Sequence, residues 1–225
     1  MKISILTVSN HPFSGFVVRE IQKKLKIFNI IFDKKGFSKR DLLIWNQRTS
    51  GKINYYDIKS TNLLPKDYVS NHNNYETLKL IKENQIELLI NIGTPRILKE
   101  KIINAPSIGI LNCHPGILPN YRGCSCVEWA LYNNDPVGNT CHLMSKKIDS
   151  GPIINSKKLD IKRYKNYVDI RVNLYLNSIN LIINAIKLLK KKNISSFKTK
   201  TGGQYYKPID NKKFNEVLKK YNIKN

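Results

Sequence analysis

The 225-residue sequence has little negative charge and few arginines. It holds 16 Asp and Glu against 39 Lys and Arg, a formal net charge of +23 at pH 7. Only seven of the basic residues are arginine, the side chain whose planar fork suits paired contacts with phosphates and bases. Lysine instead rises together with Asn and Ile along the whole chain. We therefore interpret the charge as a solvated surface with some bias toward anionic small molecules, and expect no nucleic-acid partner.

Long apolar runs are also missing from the sequence. No stretch approaches the roughly 18 uncharged apolar residues that span a bilayer. The apolar start at Ile3–Val8 is too short for the core of a signal peptide. With 41% hydrophobic residues, the chain nevertheless has enough apolar surface for a core of its own. We expect a cytoplasmic protein without a membrane span.

Cysteines are few, and all four lie in one central stretch, at Cys113, Cys124, Cys126 and Cys141. A disulfide framework belongs to short secreted chains, which this sequence does not resemble. Structural zinc sites use two cysteines separated by two to four residues. Cys124 and Cys126 are separated by one residue, and no second pair follows. The pattern favours free, mostly buried thiols and no metal.

Alternating strand and helix patterns predict an α/β fold. A strand at 2–8, a helix at 14–26 and a strand at 29–32 form a β-α-β start, which predicts parallel strands with right-handed crossovers. The irregular segment 34–74 is expected to hold a helix at 40–47 and a strand at 53–58. Further strands are predicted at 87–92, 108–113, 138–144 and 152–159, and further helices at 74–84, 95–103, 126–133 and 168–192.

These elements predict a Rossmann-like, doubly wound, mostly parallel sheet. This α/β domain is expected to cover residues 1–192. Residues 193–225 are more polar and irregular, and are expected to form a short helical or irregular C-terminal extension.

Polar side chains with chemical potential follow the strand predicted at 108–113. Asn112 and His114 are two residues apart, so a strand directs both side chains to one face. Pro115 and Gly116 end that strand, where open parallel sheets bind ligands. An amide can donate to an oxyanion, and an imidazole can act as acid or base near neutral pH. Asp149, in a turn before Gly151, is the candidate to orient the histidine.

Each of these residues also has a purely structural interpretation. Asn112 and His114 would only cap a strand end, and Asp149 would only make a turn. The combination favours acyl transfer to an attacking amine, since no Ser or Cys nucleophile is then required.

Residues 112–123, Asn-Cys-His-Pro-Gly-Ile-Leu-Pro-Asn-Tyr-Arg-Gly, resemble the signature of the 10-formyltetrahydrofolate-dependent formyltransferase family. Ile148 to Ile154 is similar to that family's aspartate loop, and Gly93 to Leu98 to its folate-lining segment. The resemblance implies the formyltransferase fold, a formyl donor and no metal. By position, Asn112 would stabilise the oxyanion, His114 would shuttle protons, and Asp149 would hold the histidine.

The resemblance also implies where the folate co-substrate binds. The pterin would be held by two segments of the chain. Their residues are Arg96, Ile97, Leu98, Met144, Ser145 and Lys147.

The acceptor is inferred partly by elimination among family members. Residues 9–13 lack the glycine-rich phosphate loop of glycinamide ribonucleotide transformylase. The residues after 192 are too few for the extra barrel of methionyl-tRNA formyltransferase, and a strand at residue 2 leaves no room for the regulatory domain of formyltetrahydrofolate hydrolase. The remaining resemblance is to the short nucleotide-sugar N-formyltransferases, which act on amino sugars linked to dTDP, GDP or UDP.

Three residues are candidates to bind that nucleotide sugar. Asn10 lies in the first strand-to-helix turn, where a diphosphate is expected. Tyr205 and Tyr206 have rings that stack on a base, or that instead attach the C-terminal segment to the core. A homodimer is expected. The alternatives are formylation of methionyl-tRNA or another amine, and an inactive basic binding protein on the same scaffold.

Overall fold

The computed structural model describes residues 1–59 and 64–221. Its strands are β1 (Ile3–Val8), β2 (Ile30–Asp33), β3 (Lys66–Val69), β4 (Leu88–Asn91), β5 (Gly109–His114), β6 (Tyr121–Gly123), β7 (Gly138–Leu143), β8 (Ile153–Lys158) and β9 (Gln204–Tyr206). Its α-helices are α1 (Ser14–Gln22), α2 (Lys39–Thr49), α3 (Tyr75–Glu83), α4 (Glu100–Ile103), α5 (Cys126–Tyr132), α6 (Tyr167–Lys191) and α7 (Asn211–Tyr221).

Seven strands form the central sheet, in the order β3-β2-β1-β4-β5-β7-β8. β1 pairs in parallel with both β2 and β4, and the strand order changes direction there. β4 also pairs in parallel with β5, whereas β8 runs antiparallel to β7. The predicted doubly wound, mostly parallel sheet is confirmed. All six residues of β1 are buried, as expected for a central strand covered on both faces.

The chain divides into two compact units. Unit 1 comprises Met1–Asn46, Ile53–Asn112 and Leu143–Lys146. Unit 2 comprises Gln47–Lys52, Cys113–His142 and the described residues from Lys147 onward. In each unit, apolar side chains of its own elements form a core. That of unit 1 includes Leu6, Ile31, Ile81, Leu89, Ile102 and Ile110, and that of unit 2 includes Tyr121, Val127, Leu131, Ile170, Leu174 and Val217.

Helix α6 organises unit 2. The side chain of Asn166 accepts a hydrogen bond from the backbone N–H of Asp169 and caps its start. The helix is long and apolar enough to cross a membrane by length and composition alone, although charged and polar residues interrupt its apolar pattern. Half of its most apolar window is buried within the protein. Its Ile170 and Leu174 belong to the core of unit 2, which accounts for its apolar character.

Two predicted elements differ from the structure. The helix predicted at 95–103 is confined to α4, because Pro95 and Arg96 belong to a loop in which the Arg96 guanidinium binds Asp33. Residues 53–58 form no strand. Ile53 and Ile58 are buried, but the backbone of Tyr56 packs against Gly15 of α1, where a Cβ would lie 2.0 Å from the Tyr56 carbonyl oxygen.

The C-terminal extension contains a helix, α7, as expected, and a strand, β9, that was not predicted. β9 pairs in parallel with β6, so that Arg122 is opposite Tyr205 and Gly123 opposite Tyr206. Helix α7 then packs on the unit 2 core through Val217.

Candidate active site

His114 is the last residue of β5 and is 4% exposed. Its Nε2 lies 2.8 Å from the carbonyl oxygen of Tyr121. Because a carbonyl only accepts, Nε2 carries the hydrogen of the neutral ring, and Nδ1 has the lone pair. Gly116 leaves room for this ring, since a Cβ there would lie 2.7 Å from Nε2.

The carboxylate of Asp149 faces His114 within unit 2. Its Oδ2 is 3.4 Å from Nδ1 of His114 and accepts a hydrogen bond of 2.9 Å from the backbone N–H of Gly123. Its Oδ1 is 3.5 Å from Nε2 of His142. Asp149 has a φ of 50°, a left-handed backbone conformation that Asp tolerates better than most residues. The Gly123 N–H and the His142 ring, both in unit 2, therefore hold this carboxylate beside Nδ1 of His114.

The charges of this cluster are set by burial and by its contacts. Burial opposes ionisation of Asp149, but the His142 bond, the His114 charge and the Gly123 N–H together lower its pKa. Burial lowers the pKa of His114, against the opposing effects of Asp149 and the Tyr121 carbonyl. At neutral pH the resting pair is therefore a carboxylate beside a neutral imidazole.

Asn112 precedes His114 by two residues on β5 and belongs to unit 1. Its Oδ1 accepts a hydrogen bond of 3.0 Å from Nδ2 of Asn91, which ends the neighbouring strand β4.

The residues expected to hold the pterin have different environments. Arg96 is bound to Asp33 through Nε and Nη2, at 2.8 and 2.9 Å. The Ile97 side chain is 77% exposed, whereas Leu98 is buried. Leu98 and Met144 pack against the same core of unit 1. The other two expected residues are the half-buried Ser145 in unit 1 and the exposed Lys147 in unit 2.

The two tyrosines of β9 have different surroundings. The ring of Tyr206 stacks on Tyr121, with centroids 4.9 Å apart, and lies beside Trp129. The ring of Tyr205 is 48% exposed and lies against Gly123, where a Cβ would be 2.8 Å from its Cε2. Tyr205 therefore exposes an aromatic surface beside the glycine whose N–H binds Asp149.

The side chain of Asn10, in unit 1, bonds to the backbone of one residue. Its Nδ2 donates to the carbonyl of Phe37 at 3.0 Å, and its Oδ1 accepts from the N–H of Phe37 at 2.7 Å. Both polar atoms therefore connect the first turn to the segment before α2.

Sequence reasoning missed three polar residues of these clusters. Neither His142 nor Asn91 was among the predicted site residues. Arg122 was read as part of a motif, but its guanidinium donates to Oγ of Ser150 and to the carbonyl of Gly203, both at 2.9 Å. Polar residues lie near the ends of β4, β5 and β7, and this pattern is the sequence signal that could have identified Asn91 and His142.

The four cysteines are free thiols. Burial raises the pKa of Cys126 and of Cys141, so both are protonated. Over residues 1–59 and 64–221, no three His, Cys, Asp or Glu side chains are grouped so as to hold a metal ion.

Residues 6–186, most of the chain, match the formyl transferase family. The chain belongs to this family. This match confirms the family relationship that the sequence motifs predicted.

A curated relative of this family member is the methionyl-tRNA formyltransferase of Borrelia duttonii. It is 32% identical over 131 residues, which make up 58% of this chain and 42% of the relative. The chain thus matches less than half the length of that relative.

Two solved structures share the fold. A sugar N-formyltransferase from a Shewanella species has a TM-score of 0.61 at 18% identity, over 93% of this chain and 77% of the other. A phosphoribosylglycinamide formyltransferase from Anaplasma phagocytophilum has a TM-score of 0.64 at 19% identity, over 92% and 96%. These likenesses confirm the predicted formyltransferase fold.

Proposed function

We propose that this protein transfers a formyl group from 10-formyltetrahydrofolate to the amine of a nucleotide-linked amino sugar. One observation within unit 2 carries the proposal: the His114–Asp149 pair is connected through Gly123 to an exposed aromatic ring. Asp149 faces His114 and accepts from the N–H of Gly123, and the exposed ring of Tyr205 lies on that glycine.

The residue chemistry suits attack by an amine on the formyl carbon. Nδ1 of neutral His114 accepts a proton that the attacking amine loses, and the charge of Asp149 stabilises the imidazolium. The amide of Asn112 donates to the oxyanion of the tetrahedral intermediate. His114 then returns the proton to the departing nitrogen of the donor. The family normally uses a folate-derived donor, so this nitrogen is N10 of tetrahydrofolate.

The loop from Arg96 to Leu98 and the residues from Met144 on are the proposed folate-binding segments. Two features of unit 1 fit a flat ring there. Ile97 exposes an apolar side chain, while Leu98 and Met144 anchor the two segments in the core. The bidentate bond between Arg96 and Asp33 holds the loop backbone in place.

Tyr205 is the proposed contact for the nucleobase. Stacking of a base on an aromatic ring contributes about 1–3 kcal/mol. Tyr206 is engaged with Tyr121 and Trp129, so we assign it a supporting role. The side chain of Asn10 is bonded to the backbone of Phe37. Its proposed role is therefore to hold the first turn in place for the acceptor, without a direct contact.

Methionyl-tRNA is the second candidate acceptor. It is favoured by the 32% identity to the Borrelia duttonii enzyme and by the net charge of +23, since a basic surface attracts nucleic acid. A stacking ring also serves the unpaired end of a tRNA, so Tyr205 does not separate the two acceptors.

A transfer assay decides between these acceptors. The protein is incubated with 10-formyltetrahydrofolate and either dTDP-, UDP- and GDP-linked amino sugars or charged initiator tRNA, and tetrahydrofolate release is followed. We expect release with at least one sugar nucleotide, and loss of release in His114→Ala. Transfer to tRNA alone would replace the acceptor proposal. No transfer to any amine would support the inactive binding protein instead.

A further inference from the structure

Asn91 and Asn112 occupy opposite positions on the parallel strands β4 and β5. Their side-chain amides meet, with Nδ2 of Asn91 donating to Oδ1 of Asn112 at 3.0 Å. Both residues belong to unit 1 and both are half-buried. A hydrogen bond in such surroundings is stronger than one in water, so this contact restricts the rotation of both amides.

The direction of this hydrogen bond is fixed by a backbone group. Oδ1 of Asn91 lies 3.0 Å from the backbone nitrogen of Thr94. A backbone N–H can only donate, so the end of Asn91 that faces Thr94 is the oxygen. The other end, which faces Asn112, is therefore the NH2 group. Asn112 must therefore accept this hydrogen bond with its oxygen, and its own NH2 group is turned away from Asn91.

We propose that Asn91 is a positioning residue, which orients the Asn112 amide so that its donor end serves the oxyanion. This inference rests on the proposed formyl transfer, in which Asn112 must donate. Without Asn91 this restraint on the amide is lost, and the reversed orientation would present an oxygen to the developing negative charge. Thr94 completes the arrangement, and its N–H also holds the start of the loop that leads to Arg96.

Two substitutions separate orientation from simple packing. Asn91→Asp keeps an oxygen for the Thr94 N–H but presents an acceptor to Asn112, so the Asn112 amide turns over. Asn91→Ala removes both bonds, and with them this restraint on the Asn112 amide. We expect Asn91→Asp to lower kcat about 100-fold, as does loss of one oxyanion donor, with the KM for the formyl donor unchanged. We expect Asn91→Ala to lower kcat less and to raise that KM.

The pH profile gives a second readout. A protonated carboxyl can donate to Asn112, whereas the carboxylate cannot. The ratio of the Asn91→Asp kcat to the wild-type kcat should therefore rise as pH falls through the pKa of the introduced carboxyl. A flat ratio, or an Asn91→Ala variant slower than Asn91→Asp at pH 8, would overturn the proposal.

A stability cycle tests the contact without any activity. Asn91→Asp and Asn112→Asp each leave a donor facing an acceptor, so each single variant should keep a Tm near that of the wild type. The double variant places two carboxylates together. Its Tm at pH 8 should fall by more than the sum of the single changes, and the deficit should shrink near pH 5.

The two kinds of failure are distinguishable in these experiments. Additive Tm changes would refute the amide contact, whatever the enzyme does. A non-additive cycle in a protein that formylates no amine would refute the proposed function, and with it the role of the oriented amide, while leaving the contact established.

Discussion

The carboxylate of Asp149 contacts His142 about as closely as it contacts His114, with Oδ1 3.5 Å from Nε2 of His142. His142 approaches Oδ1, whereas Oδ2 accepts from the Gly123 N–H and lies beside Nδ1 of His114, so His142 and Gly123 together fix the rotation of the carboxylate. His142 is fully buried in β7. It is thus a supporting residue of the His114–Asp149 pair.

Substitution of His142 should affect kcat more than binding. His142→Gln retains an N–H group near the position of Nε2, whereas His142→Leu removes it. We expect His142→Leu to reduce kcat about tenfold, the effect of a lost charge-assisted hydrogen bond of about 1.4 kcal/mol. Partial rescue by His142→Gln, at similar KM values, would identify the bond rather than packing as the cause.

The pH dependence should report the neutral form of His114. Burial lowers its pKa below the ordinary value of 6.5, so kcat/KM should remain high at pH 6.5 and decline only at lower pH. The charge of Asp149 raises that pKa. Asp149→Asn should therefore move the acidic limb to still lower pH while it reduces the rate.

The control for this profile is Asp169→Asn, which removes the half-buried partner of the exposed Lys52 in the same unit. It should leave the acidic limb where it is. An acidic limb that moves upward in Asp149→Asn would contradict the assignment of His114 as the titrating base.

The tyrosines of β9 should have separable effects. Tyr205 is half-exposed, so Tyr205→Ala should leave the Tm unchanged and raise the acceptor KM about tenfold, the loss of one stacked base. Tyr206 stacks on Tyr121, so Tyr206→Ala should lower the Tm. Steady-state kinetics and thermal unfolding of both variants test this. An unchanged acceptor KM in Tyr205→Ala would argue against the stacking role.

The adjacent glycines 202 and 203 offer a matched pair. Both have positive φ, at 90° and 73°, but a Cβ on Gly202 meets nothing within 4 Å, whereas one on Gly203 would lie 1.8 Å from the carbonyl oxygen of Pro119. Gly202→Ala should cost about 1 kcal/mol of backbone strain. Gly203→Ala should cost several times more and should also lower activity, because the Gly203 carbonyl accepts from Arg122. Denaturant unfolding measures both losses of unfolding free energy. Equal losses in the two variants would show that crowding at Gly203 is unimportant.

The Asp33–Arg96 ion pair should contribute to stability above pH 4. Burial opposes ionisation of Asp33, but Arg96 and two backbone N–H groups lower its pKa from 3.8 to about 2. A depressed carboxyl stabilises the fold above its unfolded value and loses that contribution as pH falls toward 2. The shift corresponds to about 2 kcal/mol.

Asp33→Asn should accordingly reduce the free energy of unfolding at pH 7, and the difference from wild type should diminish between pH 4 and 2. Asp160→Asn breaks an exposed pair with Arg163 and should change little. Equal effects of the two substitutions would refute the importance of burial at Asp33.

The fold was predictable because the central strands are apolar and the helices between them have a clear period. β1 is apolar at most positions, and its pattern predicts a buried strand whatever surrounds it. The helix expected at 95–103 failed for a nonlocal reason. Arg96 is drawn to Asp33, 63 residues earlier in the chain, and no local pattern contains that partner.

The candidate site was predictable in part. Asn112 and His114 were chosen because polar groups at a strand end have little structural use, and Asp149 was chosen as the turn residue that could orient the histidine. His142 and Asn91 were not predicted because each contacts another side chain, Asp149 and Asn112 respectively. These contacts depend on how the strands pair. Their roles depend on which strands are neighbours, and the sequence predicted the sheet but not its register.

The pairing of β6 with β9 has a consequence for synthesis of the protein. Gly203 follows Arg122 by 81 residues, and among the described strands β6 has only β9 as its partner. At about 5–20 residues per second, the ribosome needs roughly 4–16 s to supply that partner. During this interval the Tyr121–Gly123 segment of a nascent chain is an open strand edge. The segment that holds the Asp149 carboxylate is thus completed only after residues 204–206 have been synthesised.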